Sequence, residues 1–204
     1  SLIVSKLLLP ITLYISGYLF EFTGKLITKP NSTLTEHGDV VERIKLGAIK
    51  WFVGLPADII YSVLLMGSLA IPFTGLILYE KVPTMYSVGI ALMVGGGLLF
   101  IIVMLLGTLV YILAKASIEY NYLTTGNIWS AFKVRTIKRV ATVGWKQILT
   151  VMAVLLVLHI ATAMISFILI CFTFVISPII ATILPVITAH LYGQAFNEIK
   201  AQLG

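Results

Sequence analysis

From Gln147 to Asn197 the chain runs for 51 residues without one Asp, Glu, Lys or Arg. An α-helix rises about 1.5 Å per residue, so one helix of that length would be more than twice the ~30 Å hydrocarbon thickness of a bilayer. The stretch reads as two membrane spans, 147–170 and 177–196, with a tight connection near 172–178. A second uncharged run, of 33 residues, lies between Lys81 and Lys115. It exceeds one perpendicular crossing, so a span over 86–113 is tilted, protrudes, or starts after Pro83.

Two more spans are expected at 2–20, with Lys6 near its outer end and Pro10 inside, and at 51–79. In the latter Asp58 is the one charge and Pro56 and Pro72 mark bends that neighbouring helices can accommodate. Composition agrees: 59% of the 204 residues are hydrophobic and 11% are charged, against roughly 25% charged in a soluble domain. No alternating strand pattern with regular turns occurs, which argues against a β-barrel. The expected fold is all-α, a polytopic integral membrane protein forming a single helical domain over 1–204. It has about five transmembrane helices and two interfacial amphipathic helices on the cytoplasmic side.

Orientation follows from Lys and Arg. If the 21–50 loop, the 114–146 loop and the C-terminus share a side, that side carries twelve of the fourteen basic residues, leaving Lys6 and Lys81 opposite. The positive-inside rule makes the basic side cytoplasmic. A cell-membrane protein with its N-terminus outside and its C-terminus inside is expected. The net charge of +6 then reads as cytoplasmic loops facing anionic lipid, with no nucleic-acid partner. Nothing at the N-terminus looks like a cleavable signal, and Ser1 in place of Met is expected where the natural start is missing or processed.

The two interfacial helices are expected at 36–50 and 127–146. In the first, Val40, Ile44 and Ala48 or Trp51 recur at helical spacing, Glu42, Arg43 and Lys50 are available to water, and Asp39 or Thr35 caps the start. In the second, Asn127 after Gly126 is the cap, and Trp129, Phe132, Thr136, Val140 and Val143 form an apolar face. Lys133, Arg135, Lys138, Arg139 and Lys146 are the expected contacts to anionic lipid.

Short motifs run through the chain. Gly17-Tyr18 closes the first span and Leu46-Gly47-Ala48-Ile49-Lys50 precedes the second, which carries Ile60-Tyr61. Gly126-Asn127-Ile128 with Ala131-Phe132 opens the second amphipathic segment, and Ala189-His190-Leu191-Tyr192-Gly193-Gln194-Ala195 lies near the C-terminus. On these residues the chain resembles the archaeal and bacterial membrane family called domain of unknown function 4013. It departs from that pattern after Tyr61, where Ser62 and Val63 stand in place of a nearby proline. The resemblance implies a helical multi-pass fold of prokaryotic, largely archaeal, type, and it brings no activity.

An ionisable group inside a membrane is costly and so is a functional candidate. Asp58, about two turns past Trp51, is the foremost, and His159 in the fourth span is its possible relay partner. The bland alternatives are a hydrated or lysine-paired Asp58 and a His159 that hydrogen-bonds a neighbouring helix. His190, Tyr192, Gln194 and Asn197 form a headgroup-binding or helix-end cluster. Ala91 and Gly95 make a small-xxx-small pair suited to close helix packing, within the chain or between chains. Cys171, the lone cysteine, reads as an inert small hydrophobe. No phosphate loop, zinc motif or nucleophile elbow is present. The expectation is a protein without enzymatic activity, metal or cofactor: a subunit or scaffold that packs, as a homo- or hetero-oligomer, with other membrane chains or with lipids. The alternative is a small transporter or channel component using Asp58 and His159.

Overall fold

The computed structural model describes the backbone of residues 2–33, 38–168 and 173–204, and the side chains of 9–33, 38–164 and 179–204. Among these residues every regular element is helical: α1 (Leu2–Thr28), α2 (Val40–Lys81), a 3-10 turn (Pro83–Met85), α3 (Tyr86–Ile102), a π-helical segment (Val103–Gly107), α4 (Thr108–Thr125), α5 (Ile128–Ala131), α6 (Val134–Ile168) and α7 (Thr173–Leu203). Among the described residues, four stretches are long and apolar enough to cross a membrane: Val40–Lys81, Pro83–Thr125, Val134–Met164 and Ile179–Leu203. The protein is therefore an all-helical, multi-pass membrane protein. The expected first span, 2–20, falls in α1. Of the connection expected near 172–178, residues 173–178 are already helical in α7; its remaining part, and Cys171, lie outside the described residues.

No separate interfacial helix occupies the described part of 36–50. Helix α2 starts at Val40 and continues without a break through Trp51 for 42 residues, with Pro56 and Pro72 inside it. Its cap is as expected, Asp39 Oδ1 accepting the Val41 N–H at 2.9 Å; Thr35 lies outside the described residues. Glu42 is exposed as expected, and the apolar stripe faces out as an interfacial one would; Arg43 is the exception. Val40 and Trp51 point outward at 55% and 65% exposure, while Arg43, expected in water, is 3% exposed. Lipid explains why the stripe stays out and Arg43 turns in: an apolar stripe gains nothing by leaving hydrocarbon, whereas a buried polar group must find protein partners. Arg43 Nε donates to Glu21 Oε2 at 3.1 Å, and Nη1 donates to the Tyr14 hydroxyl at 3.0 Å. Its guanidinium also lies 4.6 Å from the centre of the Tyr18 ring.

The 127–146 segment is likewise not one helix. Asn127 caps α5, its side chain accepting the Trp129 N–H at 2.9 Å. The chain then breaks at Phe132–Lys133 and restarts as α6, which runs on into the fourth span. The break rotates the expected apolar face apart: Trp129 is 84% exposed and Val140 is fully buried. Gly126, at φ +66°, ends α4, its N–H bonding the Tyr122 carbonyl at 2.7 Å. A side chain at that φ costs roughly 1 kcal/mol, as does loss of an Asn cap. Gly126→Ala and Asn127→Ala should each lower stability in detergent by about that much, read as a reduced thermal midpoint.

The chain divides into two compact units, 1–53 with 116–204, and 54–115. In the first, α1 and α6 both pack on α7. Its core is built from Phe20, Leu26, Val140, Ile148, Phe196 and Ile199, with Tyr120 edge-on to Phe196 at 5.5 Å. Gly193 admits Leu26, and Gly144 admits Ile199. The second unit contains a hairpin of α2 against α3. Gly75 and Gly89 sit at its crossing, where a Cβ on either would fall 2.8 Å from the other's carbonyl oxygen.

Candidate functional site

Within the second unit, the polar residues of α2 and α4 meet. Asp58 Oδ1 accepts from Lys115 Nζ at 2.7 Å and from the Tyr111 hydroxyl at 2.6 Å. Lys115 Nζ also donates to the Tyr111 oxygen at 3.0 Å. Tyr61 stacks on Tyr111 with ring centres 4.7 Å apart, and its hydroxyl shares a 2.7 Å bond with Thr108 Oγ1. The Thr108 hydroxyl in turn reaches the Met104 carbonyl. Gly54 leaves room for the lysine, since a Cβ there would stand 3.3 Å from Lys115 Cε.

The π segment Val103–Gly107 aligns this constellation. Gly89 and Gly96 put one face of α3 against α2, Gly96 meeting Pro72. At about 100° per residue, Thr108 would lie some 120° away from Gly96 around an unbroken α-helix. A π turn absorbs one extra residue and so removes about 100° of that offset. Thr108, Tyr111 and Lys115, spaced three and four apart, then return to the side that faces α2.

Asp58 is therefore ion-paired, with side-chain exposures of 40% for the acid and 32% for the lysine. His159 turns Nδ1 to the Leu155 carbonyl of its own helix at 2.7 Å, with Nδ1–H as the donor. The C-terminal cluster divides among three neighbours. Gln194 Nε2 donates to His190 Nε2 at 2.9 Å, and the His190 ring stacks on Phe22. The Tyr192 hydroxyl meets Met152 Sδ at 3.2 Å, and Asn197 Nδ2 donates to the Ile27 carbonyl at 2.7 Å. These bonds fasten α7 to α1 and α6. Of the basic residues, Arg135 and Lys138 are exposed, Lys146 lies over the Trp145 ring, and Arg139 Nη2 donates to the Leu203 carbonyl at 3.1 Å.

Ala91 and Gly95 are exposed, and nothing lies within 4 Å of a Cβ placed on Gly95. Packing inside this unit falls to Gly75, Gly89 and Gly96 instead. Sequence reasoning allowed a lysine partner for Asp58 without naming Lys115, and it missed Tyr111 and, behind it, Thr108. The available signal was their spacing on α4, hidden because Lys115 was counted as a loop charge. Among the described residues, no group of three His, Cys, Asp or Glu is placed to hold a metal ion. No family model, curated protein or solved structure matches the chain.

Proposed function

We propose that the protein is a non-catalytic, multi-pass subunit or scaffold of the cell membrane, packing with other membrane chains and with lipid. The observation that carries this reading is the closure of Asp58 by Lys115 and Tyr111. A carboxylate paired with a direct cation and hydrogen-bonded by a phenol acts as a structural lock between α2 and α4. The open face of Ala91 and Gly95 supplies a surface on which another helix can approach closely. The proposal includes five spans, counting α1, with the N-terminus outside, the C-terminus cytoplasmic and both basic loops near anionic lipid. It also includes membership of the domain of unknown function 4013 family, which rests on the motif residues. Of these, Gly17, Gly47 and Gly193 sit at close helix contacts of the first unit.

The second reading, a transporter or channel component, draws on the 40% exposure of the Asp58 side chain. The two part in one experiment. Cross-linking in the native membrane followed by purification in mild detergent should recover a defined membrane-protein neighbour, or a second copy. Gly95→Leu should reduce that recovery at least fivefold, about 1 kcal/mol of lost association, with the thermal midpoint unchanged. A chain recovered alone and unaffected by Gly95→Leu would remove the subunit reading.

A further inference from the structure

A second polar site lies in the first unit, where the end of α4, α5 and the start of α6 enclose a recess of about 190 Å³. That is several times the roughly 30 Å³ share of one water. Lys133 and Arg139 line it together with Asn121, Thr125, Ser130 and Thr136, and no carboxylate side chain does. Tyr120 and Thr124 line it too, so the cavity carries two cations, one amide and five hydroxyls, the donor types of an anion site. The donors are partly uncommitted. Arg139 uses Nη2 on the Leu203 carbonyl, which holds the guanidinium at the rim and leaves Nε and Nη1. Thr125 and Ser130 share one hydrogen bond at 2.5 Å, and Ser130 also reaches the Asn127 carbonyl, which fixes the wall in place. The start of α6, a 35-residue helix, opens immediately after Lys133, so its dipole adds to the same sign of field.

We infer that this recess binds a phosphate group, carried either by an anionic lipid headgroup or by a free phosphate of the cytoplasm. The inference rests on the cytoplasmic orientation proposed above and narrows its lipid contact to one place. Of the five basic residues expected to meet lipid, Lys133 and Arg139 form the site, while Arg135, Lys138 and Lys146 do not line it. A phosphate oxygen bridges the two cations, the hydroxyl of Thr136 supplies a neutral donor, and a lipid's acyl chains leave past the exposed Trp129.

The full chain in detergent is tested with two probes. Inorganic phosphate is titrated by calorimetry, and phosphatidylglycerol retention is read by native mass spectrometry against phosphatidylcholine. Binding is expected in at least one arm, and the arm identifies the source. In that arm Lys133→Ala and Arg139→Ala should each weaken binding about tenfold or more, the usual worth of a charge-assisted hydrogen bond. Lys133→Arg should retain most of it, and the double variant Arg135→Ala with Lys138→Ala should change it less than about twofold. Thr136→Val, a near-isosteric change that keeps both charges, should weaken it about threefold and guards against misfolding of the charge variants. Binding in neither arm overturns the proposal, as does equal loss from the lining and non-lining variants, which would mean diffuse charge attraction. Either failure is separable from that of the subunit reading, which is tested by neighbour recovery at Gly95.

Discussion

Gly17→Val is expected to stop the first unit from assembling, with a stability loss at or beyond the roughly 3 kcal/mol typical of severe overpacking. A Cβ on Gly17 would lie 1.8 Å from the Arg43 carbonyl oxygen and 2.7 Å from the Gly47 nitrogen, both backbone atoms. On the facing helix, a Cβ on Gly47 would lie 1.9 Å from the Leu13 carbonyl oxygen. No side-chain rotation relieves either clash, so α1 and the start of α2 must separate. Separation also removes Arg43 from Glu21 and Tyr14, breaking the hydrogen bonds that hold its buried guanidinium. Gly47→Val should behave alike. Gly97→Ala is the control, since nothing lies within 4 Å of its Cβ position and alanine favours the helix by up to about 1 kcal/mol. The measurement is the thermal midpoint and the monodisperse fraction in detergent. A Gly17→Val protein that melts with the wild type would refute the crossing.

That crossing shows how far the sequence could be read. Runs without charge fix where helices must be, because no other element hides a bare backbone in lipid. The Asn127 cap and the Gly126 stop were legible because they are local chemistry. The inward face of 40–53 was not. Arg43 was assigned to water with Glu42 and Lys50, whereas the structure leaves Val40 and Trp51 outside and turns Arg43 in. The resemblance motifs did mark Gly17 and Gly47, yet nothing local says that two glycines 30 positions apart touch. The break at Phe132–Lys133 has no proline or glycine to announce it. Asp58 was legible as an anomaly, but its partner lies 57 residues away, in register because of a π turn whose own sequence, Val-Met-Leu-Leu-Gly, resembles the helix around it.

Lys115→Met is expected to cost about 2–3 kcal/mol, the scale for one uncompensated charge within a spanning helix. It leaves the Tyr111 hydroxyl as the donor to Asp58. Asp58→Asn should cost a similar amount by stranding Lys115. The double variant, Asp58→Asn with Lys115→Met, should recover most of the loss, because two neutral side chains need no counter-ion. The coupling from the full double-mutant cycle should be near 2 kcal/mol and favourable. The cycle also bears on function. A lock tolerates neutralisation of both partners, so the double variant should keep its cross-linked neighbour in the membrane at wild-type yield. A transport pathway does not tolerate it, because the titrating or ion-binding group is gone. A double variant that is as stable as the wild type yet inactive in native membranes would make Asp58 a working group and the lysine its gate. A double variant no more stable than either single one would instead mean that Tyr111 and the stacked Tyr61, rather than the charge pair, hold α2 to α4.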